Sequence, residues 1–207
     1  MPQLEANGPR PPFIGLTGSV GAGKTEALAA FARLGAATLS SDAVSHDLLD
    51  DPEVRALLVE RWGERVATDG TVDRGRVGAI VFEHPEELAW LESILHPHVG
   101  CRLADWRRSL DPRISLAVVE VPLLFETGME TAFDATVCVV ADDEIRARRA
   151  GERGTERLEA RSERQLSQEE KAARATYVIR NDGTLSDLEE EISGLVPALS
   201  ALGSASR

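Results

Sequence analysis

The residues most able to do chemistry stand together near the start of the chain. Gly18, Ser19, Val20, Gly21, Ala22, Gly23, Lys24 and Thr25 read G-x-x-x-x-G-K-T. The stretch follows a short apolar run, Phe13–Thr17, and precedes an Ala- and Leu-rich run that includes Glu26. Strand, glycine loop and helix in that order form a phosphate cradle. The glycines free the backbone so that successive N–H groups turn inward on an anion. The helix start adds its partial positive charge. In such a cradle Lys24 can reach β- and γ-phosphates, and the Thr25 hydroxyl can ligate Mg²⁺. The chain has two lysines, Lys24 and Lys171, and otherwise uses arginine. A lysine inside this loop points to a need for a compact point charge.

Other candidates fall where a parallel α/β sheet places ligands, at the carboxyl ends of its strands. Asp42 ends a second short apolar run and is suited either to accept a proton from an attacking hydroxyl or to cap a helix. Glu120 closes a β-branched run, as a carboxylate holding magnesium through water or as a strand-end charge. Asn181-Asp182-Gly183 follows a last short strand and suits a base-contacting loop. His96, in Leu95-His96-Pro97, is either a site residue or a structural one. Arg149, Arg153, Arg157 and Arg161 recur every four residues. They fit a salt-bridged surface helix or a lid over roughly residues 146–165 that closes on triphosphate, with Gly151 or Gly154 as hinge.

Composition narrows the class of partner. The 207 residues are 43% hydrophobic and 28% charged, with a formal net charge of −12. That balance suits a globular α/β protein and argues against a nucleic-acid binder, which needs a basic face. A small anionic substrate remains compatible, because a few cations and backbone amides suffice. Cys101 and Cys138 are too few for a disulfide framework or a zinc site, as in a reducing cytoplasm. The proline-rich start has no apolar segment of signal-peptide type, and no run is long enough to span a bilayer.

The elements that must position these residues can be read in order. Residues 1–12 are expected to be a disordered tail. Strands are expected at Phe13–Thr17, Ala37–Ser41, Ile114–Val121, Ala135–Val140 and Tyr177–Arg180. Helices are expected at Thr25–Leu34, at Ala43–Leu49 capped by Asp42, over Asp142–Gln165, at Ser167–Ala175 with a Ser167/Glu170 capping box, and at Leu185–Leu199. Residues 51–111 hold no convincing strand. Helices are expected there at Pro52–Trp62, Arg74–Phe82, Pro85–Leu95 and Pro97–Leu110, with Trp62, Trp90 and Trp106 in a core or groove. The expected organisation is a core of residues 13–50 and 112–200, a helical insertion at 51–111 and a frayed tail at 201–207.

In this order the motifs resemble the dephospho-CoA kinase family, over roughly residues 13–199. The resemblance rests on Gly15–Gly18 through Lys24-Thr25, Asp42, Asp73-Arg74 ahead of Val81-Phe82, Leu95-His96-Pro97, Pro122-Leu123-Leu124-Phe125-Glu126, Arg149, Arg153, Gln165, and Val178-Ile179-x-Asn181-x-Gly183. It implies a three-layer P-loop kinase core with a five-stranded parallel sheet, a helical CoA-binding insertion and a lid. It implies transfer of the γ-phosphate of ATP, with Mg²⁺, to the ribose 3′-hydroxyl of dephospho-CoA. Lys24, Asp42, Arg149 and Arg153 would then be catalytic. The loop, Asn181 and Gly183 would bind ATP. Asp42, His96, Pro122, Leu123, Leu124 and Glu126 would meet the acceptor. The chain departs from the family pattern in having Ser40 and Thr176 where aspartates are usual, and in a shorter stretch from Arg153 to Gln165. A kinase for another small alcohol and a regulatory P-loop ATPase are the competing classes.

Overall fold

A computed structural model describes residues 10–68, 70–152 and 165–204. Five strands form one parallel sheet: β1 (Phe13–Gly18), β2 (Ala37–Ser40), β5 (Ala117–Glu120), β6 (Ala135–Val140) and β7 (Tyr177–Arg180), in the order β2-β5-β1-β6-β7. Burial on both faces explains why β1, β5 and β6 read as continuous apolar runs rather than alternating ones, while the edge strands β2 and β7 are partly exposed. All six residues of β1 are buried, and all six of β6. The third strand is shorter than the apolar run Ile114–Val121 suggests, because register with β1 and β2 spans only Ala117–Glu120.

Helix α1 (Lys24–Arg33) and the last helix, α8 (Leu185–Ala201), cover one sheet face. Ala27, Ala30 and Phe31 of α1 meet Leu188, Ile192 and Leu199 of α8 over Ile14, Leu16, Val118, Val137, Val139 and Ile179. Two further helices of this unit, α6 (Asp143–Glu152) and α7 (Gln168–Arg174), precede β7. Ser167 caps α7 through the reciprocal box expected from the sequence, its hydroxyl accepting from Glu170 N–H at 3.1 Å. Thr184 and Asp187 form a second such box at the start of α8.

The described residues of the two expected tails pack against the core unit. Pro11 and Pro12 are buried, and the Pro12 carbonyl accepts from Ala117 N–H at 2.9 Å. At the other end, Ala201 is still helical, residues 202–204 form a 3₁₀ turn, and a side chain on Gly203 would press on the Pro12 ring.

The chain divides into two units: the residues described above, up to Ser40 and from Ser109, and a second unit, Ser41–Arg108. The division therefore falls at Ser41, ten residues before the insertion boundary expected from composition. This second unit holds α2 (Ser41–Leu48), α3 (Pro52–Trp62), a hairpin of β3 (Ala67–Thr68) and β4 (Thr71–Val72), α4 (Arg74–Glu83) and α5 (Pro85–Ser109). The hairpin strands are two residues each, too short to show a period in the sequence. Pro97 lies inside one 25-residue helix rather than between two helices. It removes the N–H that would bond the Ser93 carbonyl, yet Leu91, Val99 and Leu103 on both sides of it are buried and keep the helix continuous. Trp62 and Trp90 meet edge to face at 5.1 Å, and the Arg61 guanidinium lies 4.5 Å from the Trp90 ring centre. Glu87 accepts from Trp62 Nε1 at 2.8 Å and from Arg61 Nε at 2.6 Å, which holds its carboxyl below the usual range. Among the described residues, no helix is long and apolar enough to cross a membrane.

Candidate active site

The loop from Gly18 to Thr25 is built at the carboxyl end of β1. A turn closes it, with Ala22 N–H donating to the Ser19 carbonyl at 3.2 Å. Gly21 (φ 77°) and Gly23 (φ 95°) take left-handed conformations, and Gly23 stands as the N-cap of α1. Space is as restrictive as backbone angle. A Cβ on Gly18 would strike the Val139 carbonyl, one on Gly21 the Arg146 carbonyl, and one on Gly23 the Asn181 amide. The Lys24 ammonium curls back and donates to the carbonyls of Gly18 at 2.9 Å and Ser19 at 3.1 Å. Thr25 is exposed in the first turn of α1.

Residues far along the chain hold this loop. Asn181 is 4% exposed, and its Nδ2 donates to the Ala22 carbonyl at 2.9 Å. Its own backbone carbonyl accepts from Arg149 Nη1 at 3.0 Å. Arg146 Nε donates to the Val20 carbonyl at 3.2 Å, while Asp143 holds its Nη1 at 2.7 Å. The sequence marked Arg149 and Asn181 but not Arg146, whose only signal was its place in an arginine-rich run. Asp182 latches the neighbouring strand ends: it accepts from Asp142 N–H at 2.6 Å and Arg180 Nη1 at 2.9 Å, and the Arg180 contact first, then the Asp142 N–H, keeps its carboxyl below the usual range. Gly183 leaves room for the Asp187 carboxylate that completes the α8 cap. Arg153, Arg157 and Arg161 lie outside the described residues.

Glu120 ends β5 in register with Leu16 on one side and Ser40 on the other. Residues in one register row of a parallel sheet share a face. Leu16 faces the α1 side, so Glu120 lies at the rim on the face that carries Thr25. Ser40 completes that row, so Glu120 puts a carboxylate on the strand beside Ser40. The second departure, Thr176, sits at the opposite end of the sheet. It exchanges bonds with Thr136, 3.1 Å from Thr136 N–H and 3.0 Å from its own N–H to Thr136 Oγ1, tying the starts of β6 and β7 together.

The Pro122–Glu126 segment shows mixed placement. Leu124 and Phe125 are buried, and a side chain on Gly15 would meet Leu124 Cδ2. Leu124 therefore supports the segment from the core instead of facing solvent. Glu126 Oε1 is 2.9 Å from Lys171 Nζ and accepts from Leu166 N–H at 2.8 Å. In the other unit, Asp42 is exposed in the first turn of α2, which begins at Ser41, so Asp42 is a helical residue and not the cap expected. His96 is exposed within α5, not in a turn.

Comparison with known proteins agrees with this geometry. The dephospho-CoA kinase family model matches residues 12–187. A dephospho-CoA kinase of Deinococcus radiodurans is 39% identical, over 91% of this chain and 93% of its own. A crystal structure from Thermus thermophilus superimposes with a TM-score of 0.77 at 34% identity, covering 92% of this chain and 98% of its own. A dephospho-CoA kinase structure from Campylobacter jejuni gives a TM-score of 0.69 at 25% identity, covering 91% and 96%. With the phosphate cradle built and family similarity running through both units, the chain belongs to the dephospho-CoA kinase family.

Proposed function

We propose that this protein transfers the γ-phosphoryl group of ATP to the 3′-hydroxyl of the ribose of dephospho-CoA, giving CoA and ADP. The observation that carries the proposal is the loop Gly18–Thr25, braced by Asn181 and closed by Lys24, in a chain matched by that family from residue 12 to 187. Phosphoryl transfer asks the protein mainly for positioning and charge stabilisation. Backbone N–H groups of the loop and the α1 start bind the β-phosphate. Lys24 exchanges two neutral carbonyls for phosphate oxygens, a stronger, charge-assisted contact. Arg149, one bond from Asn181, adds a cation beside the loop. Asp42, which follows the carboxyl end of β2, is assigned to accept the proton of the attacking hydroxyl. His96, Pro122, Leu123 and Glu126 are assigned to the acceptor.

Thr25 and Glu120 offer hard oxygen donors on one side of the sheet rim, a set that fits a hydrated Mg²⁺. Thr25 and Glu120 would hold the ion there, and it would supply positive charge against the charge that develops on the transferring phosphoryl group.

The test is ADP and CoA formation from Mg²⁺-ATP with and without dephospho-CoA, for wild type and Asp42→Asn. The expected outcome is acceptor-dependent product in wild type and a large loss of turnover in the variant, with ATP binding kept. Acceptor-independent hydrolysis alone would favour a regulatory ATPase.

A further inference from the structure

The second of the chain's two lysines is not used by the mechanism above, and its environment is unusual. Lys171, in α7, is 0% exposed. Its ammonium lies 2.9 Å from Glu126 Oε1 and donates to the Pro122 carbonyl at 2.6 Å. That same carbonyl accepts from the Thr17 hydroxyl at 3.3 Å, and Thr17, fully buried, directly precedes Gly18 of the phosphate loop. Glu126 Oε1 also holds the Leu166 N–H at 2.8 Å. One buried cation thus joins both ends of the Pro122–Glu126 segment to the strand that carries the phosphate loop.

Burying an ammonium and a carboxylate is costly, and well-packed apolar side chains of similar volume commonly stabilise a fold as well or better. Stability alone therefore gives no reason for Lys171. Orientation does. Two donor directions from one ammonium set where the Pro122 carbonyl and the Glu126 carboxylate point, as an apolar side chain cannot.

We propose that Lys171 is a positioning residue of the phosphoryl-transfer site: it sets the Pro122–Glu126 segment relative to Thr17 and the phosphate loop, acting through Glu126 and the Pro122 carbonyl. The proposal rests on the kinase reading above. It touches no substrate atom itself, so its loss should appear in how the acceptor is held and not in ATP affinity.

The experiment compares wild type, Lys171→Met, Glu126→Leu and the double variant, measuring thermal midpoint, kcat, and KM for ATP and for dephospho-CoA separately. Small displacements of positioning groups can cost up to about 10²-fold. Lys171→Met should lower kcat/KM for dephospho-CoA by about 10–100-fold and change KM for ATP little. The double variant, with no buried charge left, should regain most of the lost thermal stability but not the lost kcat/KM. Adding Lys171→Met to Glu126→Leu should cost less activity than Lys171→Met does in wild type, because part of its effect runs through Glu126. Wild-type kinetics in folded Lys171→Met, or recovery of activity together with stability in the double variant, would overturn the proposal. Should Lys171→Met fail to fold, Lys171→Arg carries the test, since it keeps the charge and moves the donors; unchanged acceptor kinetics there overturn it. Wild type run in parallel separates the two readings. Without acceptor-dependent product in wild type the kinase reading fails; with it, unchanged variants sink only the role of Lys171.

Discussion

Gly23→Ala isolates the geometry of the phosphate cradle. Gly23 has φ 95°, beyond the range comfortable for a side chain, and holding alanine there costs ~1–3 kcal/mol. The added Cβ also collides with the Asn181 amide, which is 4% exposed and bonded to the Ala22 carbonyl at 2.9 Å. Pushing that amide aside leaves buried polar groups unpaired, at a further ~1–3 kcal/mol. The sum, ~2–6 kcal/mol, corresponds to roughly 4–24 °C in thermal midpoint for a protein of this size. The same displacement turns loop N–H groups off their common focus, so ATP affinity should fall together with stability. Thermal unfolding and calorimetric ATP titration check both. Asn181→Ala provides the control: in that background Gly23→Ala no longer meets the amide and retains only its backbone cost, so the two losses should combine to less than their sum. A Gly23→Ala protein with unchanged midpoint and ATP affinity would refute the account, as would strict additivity of the pair.

Three further outcomes follow from other parts of the molecule. Lys24→Ala removes a cation at the phosphate loop, and kcat should drop by ~10²–10³; steady-state turnover at saturating ATP checks this. Thr176→Val removes the hydroxyl that accepts from Thr136 N–H at the amino end of the sheet and keeps the bond from its own N–H to Thr136, so stability should fall by about 1 kcal/mol while kcat and KM stay at wild-type values; altered kinetics would mean that this departure from the family pattern reaches the site. Burial pushes the Cys138 thiol up to about 11, with Lys171 and Lys24 pulling weakly the other way. A raised pKa keeps the thiol neutral and unreactive until the pH approaches that value, so native protein at pH 8 should take up alkylating reagent at exposed Cys101 alone, and at both cysteines after denaturation, as read by intact mass.

Much of the core was legible in the residues because its signals are local. The loop Gly18–Thr25, the strand Tyr177–Arg180, the start of α3 at Pro52 and the Ser167/Glu170 cap each depend on residues a few positions apart. Continuous apolar runs marked strands buried on both faces, which is how a parallel sheet reads. Local signals also misled. Pro97 reads as a helix start, yet the buried residues on either side carry the helix through it. Pro11 and Pro12 read as tail, yet Gly203, at the far end of the chain, lies against Pro12.

The sequence by itself determined the chemistry of the phosphate loop, because backbone freedom at Gly21 and Gly23 and the charge of Lys24 are properties of those residue types. What it could not determine is which distant groups hold that loop in shape. Asn181 under Ala22, Arg146 on Val20 and Lys171 on Pro122 are separated in the chain from their partners by 159, 126 and 49 residues. A side chain's type does not say which carbonyl it will find at that distance. Only strand order does. By placing β5 and β6 on either side of β1, with β7 next to β6, the tertiary fold turns an asparagine, an arginine and a lysine from separate signals into the supports of one site.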